Sequence, residues 1–246
     1  MFDPVKKAEE TSRVVCRGDS RKYYRFRAAR FYGGIATADC TGCCLRCLFC
    51  WAWERVVSPE APGPFYTPAE VAAHLVGIAR RKKFRRLRIS GNEPTLSRDH
   101  LMGVLEKIPE EYEFILETNG ILLGCDPSYA RALARFKNLC VRVSFKGTTE
   151  GEFGRLTGAD PGAFRLQVGA LRNLLEAGVR VYPAVMVSFS SAENVRNLRR
   201  RLESMGVDEV EVEELVLYGD VETRLRQAGI PCVAGYEPSD IPPEQI

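Results

Sequence analysis

Five of the chain's nine cysteines fall within eleven positions, in the stretch CTGCCLRCLFCW that begins at Cys40 and ends at Trp51. Thiols gathered this closely can close disulfides, bind zinc or hold an iron–sulfur cluster, and their spacing discriminates among these. Two overlapping triplets share one spacing, three intervening residues and then two: Cys43, Cys47, Cys50 and Cys40, Cys44, Cys47. Structural zinc calls for four donors, usually two close pairs about a dozen or more residues apart. No second close pair follows in this chain. Three thiolates suit instead a cube of four irons and four sulfides whose fourth iron lacks a protein ligand and can take a substrate. The opening residues, MFDPVKKAEE, carry no apolar core of an export signal, and no run approaches the roughly 20 apolar residues of a membrane span. A cytoplasmic, reducing setting is therefore expected, where clustered thiols bind metal rather than pair as disulfides.

Such a loop needs a frame to present it. From Gly33 onward, apolar runs rich in Val and Ile alternate with segments of helical period, the pattern of repeated strand–helix units and a parallel sheet. Strands are expected near 33–39, 85–90, 112–118, 139–145, 179–187 and 209–217, with helices over 68–83, 98–108, 127–136, 162–178 and 192–206. A chain of 246 residues, 45% hydrophobic and 27% charged, can bury one large core, so a single α/β domain is the default. Within the strands, Leu139, Val141, Val143 and Phe145 share one face while Arg142, Ser144 and Lys146 share the other. Likewise Leu87 and Ile89 oppose Arg86, Arg88 and Ser90, and Val210 and Val212 oppose Glu209, Glu211 and Glu213. A parallel sheet buried on both faces would lack this alternation. If helices cover the apolar face, the polar face must line a hydrated or ligand-filled interior, because unpaired buried charge is too costly. The sheet is expected to curl around a cavity. Residues 1–30 read as a basic amino-terminal extension, 31–228 as the barrel and 229–246 as a Pro-containing tail. Net charge is only +3, and the dense runs RRKKFRRLR (80–88) and RRR (199–201) read first as solvated helix faces.

With these elements in place, CCLRCLFCW resembles the cluster loop of the radical S-adenosylmethionine (SAM) superfamily, with aromatic Phe49 just before the last cysteine. The aromatic points to the register Cys43, Cys47, Cys50. Family members often carry Asn where this chain has Cys44, a departure that leaves the triplet Cys40, Cys44, Cys47 open. ISGNEPTL (89–96) resembles the family's Gly-Gly-Glu-Pro segment, with Gly91 and Glu93 kept and Asn92 between them. ETNG (117–120) is similar to the Asp-Thr-Asn-Gly turn of glycyl-radical-enzyme activases, and SFKG (144–147) to their Asp-Leu-Lys, with Lys146 kept. The motifs fall in order at the carboxyl ends of successive expected strands. The resemblance runs from about residue 31 and implies a partial (β/α)6 TIM-type barrel with parallel strands, open at the side. It implies a [4Fe–4S] cluster and SAM as cofactors, and reductive cleavage of SAM to methionine and a 5′-deoxyadenosyl radical that takes hydrogen from a substrate. The branch indicated is that of the pyruvate formate-lyase activating enzymes.

By this resemblance Cys43, Cys47 and Cys50 are cluster ligands, and Gly91, Asn92 and Glu93 border SAM, with Glu93 accepting from its ammonium. Lys146 pairs with the SAM carboxylate. Thr118, Asn119, Ser144 and Ser188 offer short polar groups to the ribose, and Phe49 lies beside the adenine with Val185, Val187, Leu215 and Leu217 flanking it. Each position has a plainer reading: Lys146 as a solvated strand-end lysine, Glu93 as a charge at a helix start, Ser144 as a turn cap. His74 and His100 read as surface or packing residues, and Cys16, Cys125, Cys140 and Cys232 as small buried hydrophobes. The resemblance also implies an electron donor of flavodoxin or ferredoxin type and no membrane partner. For the substrate, ETNG and SFKG point to a protein or peptide. RRKKFRRLR and YYRFRAARFY (23–32), where basic and aromatic residues interleave, point to tRNA. A non-catalytic metal-binding interaction module would explain the cysteines, but not Glu93 and Lys146 at strand ends.

Overall fold

Alternation of apolar and polar residues along the strands produces a curved sheet with two unlike faces. The structure, a computed structural model, describes residues 1–231 and 234–242; Cys232 and the last residues of the tail lie outside them. Helix α1 (Pro4–Val15) leads to strand β1 (Ser20–Ala29), which lies antiparallel along β2 (Ile35–Cys40). There follow α2 (Pro68–Lys82), β3 (Arg86–Ser90), α3 (Arg98–Leu105), β4 (Glu113–Thr118), α4 (Ile121–Cys125), α5 (Pro127–Leu133) and β5 (Leu139–Phe145). The chain continues through α6 (Glu150–Thr157), α7 (Phe164–Glu176), β6 (Arg180–Met186), α8 (Ala192–Glu203), β7 (Glu211–Glu213) and α9 (Val221–Gln227). Strands β1 to β7 lie side by side in sequence order, and β2 to β7 are all parallel. This is the expected α/β barrel segment, open at the side, with β1 and β7 near its two edges. Residues 20–22 of β1 also pair with the two-residue strands Cys16–Arg17 and Phe65–Tyr66.

Local chemistry sets the element ends. Thr67 and Glu70 form a reciprocal cap at the start of α2, and Pro68 fills its first turn, where a missing N–H costs nothing. At the end of β3, Gly91 takes φ +95° and comes so close to β2 that a Cβ there would sit 2.9 Å from the Asp39 Cα. Only glycine allows that approach. The expected faces are realised: Leu139, Val141, Val143 and Phe145 are at most 1% exposed, and the Phe145 ring meets Phe164 of α7 edge-on at 5.8 Å. Each such side chain contributes about 1.5–3 kcal/mol by leaving water. At β7 the pattern weakens, for Val212 is 47% exposed at the sheet's edge.

The polar face carries charge in pairs. Arg88 bonds Glu117 at 2.7 Å, Arg142 reaches Glu211 at 2.5 Å and Glu213 at 2.7 Å, and Arg25 and Arg27 converge on buried Asp39 at 2.6 and 2.8 Å. Pairing is what makes charges tolerable in such an interior.

Candidate active site

The cysteine loop leaves the carboxyl end of β2 and is pinned from several directions. The Arg46 and Leu48 amides donate to the Thr157 and Leu156 carbonyls at the end of α6, at 3.1 and 2.9 Å, using acceptors a helix leaves unsatisfied there. From α9, Arg224 donates to the Leu48 carbonyl at 2.9 Å and the Cys50 carbonyl at 2.7 Å. Arg21, fully buried, donates to the carbonyls of Thr41, Glu93 and Pro94, tying the loop's start to the Gly91–Pro94 segment.

Pinned in this way, the loop presents three of its five thiols to one cleft. Cys43, Cys47 and Cys50 line a cleft of about 780 Å³ at the carboxyl ends of the strands. Cys40 and Cys44 are both 0% exposed and turn away from it. The Cys40 thiol donates to the Ser90 carbonyl at 3.2 Å, and the Cys44 sulfur accepts from the Asn119 amide at 3.2 Å. Of the triplet Cys40, Cys44, Cys47, only Cys47 thus faces the cleft.

Burial pushes the Cys50 thiol up to about 11 and Cys47 higher still, and the neighbouring thiols add to both. A hydrogen bond from Cys44 holds Cys43 below its usual value. Buried thiols crowded at one cleft form a trio that a bound iron centre would deprotonate. Among the described residues no three His, Cys, Asp or Glu side chains gather tightly enough to hold one metal ion. Three thiols on one cleft match the donor set of a cluster with one thiolate per iron and one iron left without a protein ligand.

The remaining expected residues divide into two groups. Phe49, Gly91, Asn92, Thr118, Asn119, Ser144 and Lys146 all line the cleft. The Lys146 ammonium lies 5.9 Å from the Phe49 ring centroid and is in no ion pair among the described residues. Ser144 accepts from Arg142 at 3.0 Å, and the Asn92 side chain accepts from the Gly42 amide at 3.1 Å. Glu93 and Ser188 lie elsewhere. Glu93 is 0% exposed, and its carboxylate accepts from the Thr95 amide and hydroxyl, the Thr118 hydroxyl and the Asn119 amide, at 2.6 to 3.0 Å. Three of these bonds end on Oε1 and one, from the Asn119 amide, on Oε2, so the carboxylate is held behind the cleft wall. Ser188, 1% exposed, accepts from the Leu215 amide at 2.8 Å and does not border the cleft. Of the four aliphatic residues expected around an adenine, Leu215 lines the cleft, beside Met186 and Val216.

Other placements are plain. His100 is a packing residue, its Nδ1 donating to the Asp19 carbonyl at 2.7 Å so that Nε2 accepts from Tyr23 at 3.0 Å. His74 is exposed and stacks on Phe26 at 4.3 Å. Cys16 and Cys140 are half-buried; Cys125, expected to be buried, is exposed at the end of five-residue α4. Several contributors carry no motif. Gln167 of α7, 0% exposed, donates to the Asn119 and Ser144 carbonyls and accepts from the Lys146 amide, fixing two strand ends at once. Arg21 and Arg224 are likewise invisible in sequence, where each is one arginine among many.

The chain is 27% identical over 168 residues to GTP 3′,8-cyclase of Petrotoga mobilis, an alignment covering 63% of this chain and 48% of that protein. In fold it is similar to Streptococcus suis SuiB bound to S-adenosylmethionine, with TM-score 0.57, 20% identity, and 73% of this chain and 39% of that one covered. It is similar also to a radical SAM methyltransferase from Sphaerobacter thermophilus, with TM-score 0.56, 19% identity, and 89% and 74% covered. The chain thus spans less than half the length of the cyclase and of SuiB. Residues 39–210, from the last turn of β2 to the start of β7 and including every motif at the cleft, match the sequence model of the Radical SAM superfamily. The chain therefore belongs to the radical SAM superfamily, whose members use a [4Fe–4S] cluster and SAM and require an electron donor.

Proposed function

We propose that Cys43, Cys47 and Cys50 hold a [4Fe–4S] cluster at the mouth of the cleft and that the chain takes a hydrogen atom from a peptide or protein substrate, as an activating enzyme does. The observation that carries this reading is that these three thiols, of the five in the loop, face the cleft. When bound, the cluster and SAM supply an electron and a 5′-deoxyadenosyl radical, the latter formed by reductive cleavage. The chain's own groups bind and orient. Lys146 pairs with the SAM carboxylate, its position fixed by Gln167 and by the Phe49 ring below it. Asn119 donates to the Cys43 sulfur at 3.5 Å, and hydrogen bonds to cluster ligands tune reduction potential. Ser144 and the strand-end backbone at Gly91, Asn92 and Thr118 offer short polar groups to the ribose and amino group. Glu93 and Ser188 support this wall from behind.

A peptide substrate is supported by the ETNG and SFKG turns and by the lateral opening of the barrel. It is supported also by two proteins of similar fold, solved with peptides: SuiB with precursor peptide SuiA, at TM-score 0.59, and anSMEcpe with AdoMet and the Cp18Cys peptide, at 0.53. The protein works in a reducing cytoplasm with a donor of flavodoxin or ferredoxin type. Anaerobically reconstituted protein given dithionite and SAM is expected to release 5′-deoxyadenosine. Cys50→Ala should lose iron and activity while Cys40→Ala retains both; the reverse would refute the register, and a colourless, zinc-loaded protein the whole reading.

A further inference from the structure

Outside the cleft, a groove of about 490 Å³ runs between β1 and the carboxyl-terminal half of α2, lined among others by Arg25, Phe26, Arg27, His74, Arg81 and Lys82. It brings together the two basic stretches that lie far apart in sequence. Its lining includes no carboxylate. Arg81 and Lys82 are exposed and in no ion pair among the described residues, while Arg25 and Arg27 share the single carboxylate of Asp39, which leaves one positive charge uncompensated. Favourable interaction with the helix dipole accounts for a basic last turn. It does not account for what lies opposite. Apart from β2, the segments paired with β1 engage only residues 20–23, so its outer edge over 24–29 has no strand partner among the described residues.

An open strand edge facing a helix is the geometry in which an extended peptide adds as a further strand, main chain to main chain, with side-chain pockets setting specificity. The four cations select an acidic segment. A nucleic-acid strand fits less well, because the aromatic rings pack on one another. Phe26 stacks on His74 at 4.3 Å and on Tyr23 at 5.7 Å and meets Tyr66 edge-on at 5.0 Å, an arrangement poorly suited to receiving bases. Arg25 and Arg27 line both the groove and the cleft, so a segment paired along 24–28 lies beside the barrel's open side. We propose that this groove recognises an acidic, extended segment of the peptide substrate by strand addition to β1, an inference that rests on the peptide reading above.

The test is fluorescence anisotropy on the reconstituted holoenzyme with four labelled probes. These are a short peptide alternating Glu with Val, the same peptide N-methylated at alternate backbone nitrogens, its Lys-for-Glu counterpart, and an oligouridylate of equal charge. The acidic peptide should bind with an affinity that falls as salt rises. N-methylation should weaken it on the order of tenfold or more, as should the double variant Arg81→Glu, Lys82→Glu, while the Lys peptide does not bind. Arg81→Gln, Lys82→Gln should give an intermediate loss. Peptide-independent 5′-deoxyadenosine formation should stay unchanged in both variants. Equal binding of the N-methylated or Lys peptide, indifference to the variants, or tighter binding of oligouridylate would overturn the proposal. Absence of 5′-deoxyadenosine from the unaltered protein would instead count against the reaction assigned to the cleft, with the groove still decided by anisotropy.

Discussion

Glu93 and Lys146 follow strands β3 and β5, and they differ in exposure: Glu93 is fully buried, while Lys146 is half-buried and lines the cleft. The buried Glu93 carboxylate gathers donors from its own turn and from Thr118–Asn119, while Arg21 holds the neighbouring carbonyls, so this pair of charges polarises and fixes the backbone between them. Glu93→Gln puts an NH₂ where only acceptors fit, and should lower stability by about 1–3 kcal/mol in thermal or urea unfolding. Lys146→Met should leave stability nearly unchanged and weaken SAM binding on the order of tenfold by calorimetry, through loss of a charge-assisted bond. If the two variants exchanged phenotypes, the assignment would fail. Glu117 gives a pH signature. Burial alone would push its carboxyl up, but the Arg88 and Arg142 charges and bonds from Ser90 and Arg88 hold it at about 2 instead of 4.5. Its folded value is depressed, so its stabilisation is full above 4.5 and is lost as pH falls through about 2. Glu117→Gln should therefore cost about 3 kcal/mol at neutral pH, and the gap from the unaltered protein should close between those two values. Glu93 was legible as important because its neighbours spell a motif. Its direction was not, because one loop residue decides whether a side chain meets the cleft or the turn behind it.

Among the elements, α9 reaches the site from farthest along the chain. Arg224 clamps the Leu48 and Cys50 carbonyls, stacks over Trp53 and pairs with Asp220, the residue that precedes its helix. Arg224→Met should loosen the segment bearing Cys50, lowering iron content per chain and shifting the reduction potential while leaving far-ultraviolet circular dichroism intact. Undiminished iron with an unchanged potential would show the clamp to be dispensable. Sequence periodicity placed α2, α7 and α8 to within a few residues, since each carries three or more turns of apolar spacing. It missed α4, α6 and α9, five to eight residues long, where a helical period is too short to stand out and tertiary contacts supply the stability, and it missed the 12-residue α1, whose basic and acidic residues read as an extension. It also left β1 unread, because a strand of YYRFRAA type looks the same as a basic arm until its partner is known.

For the molecule as a whole, strand alternation was the most informative signal, because it announced an interior lined with charge before any ligand was considered. Arg142 makes that interior continuous with the last strand, joining β5 to Glu211 and Glu213 of β7. Arg142→Met leaves two carboxylates facing the interior without their cation. It should cost about 2–4 kcal/mol and make the chain after β6 susceptible to limited proteolysis, with cleavage before β7 appearing first. Unaltered digestion would mean that β7 is held by its three-residue ladder alone. Short β7 and half-covered Val212 also show why the end of the barrel was hard to read: its residues alternate as a strand should, but only three of them form the ladder with β6 and the apolar one is 47% exposed. The gap between β1 and β7 bears on reactivity as well as shape. A vessel missing a stave cannot by itself keep water and oxygen from something short-lived inside, so the peptide substrate proposed above would double as wall where it plugs the gap, and turnover without it should be slow and wasteful.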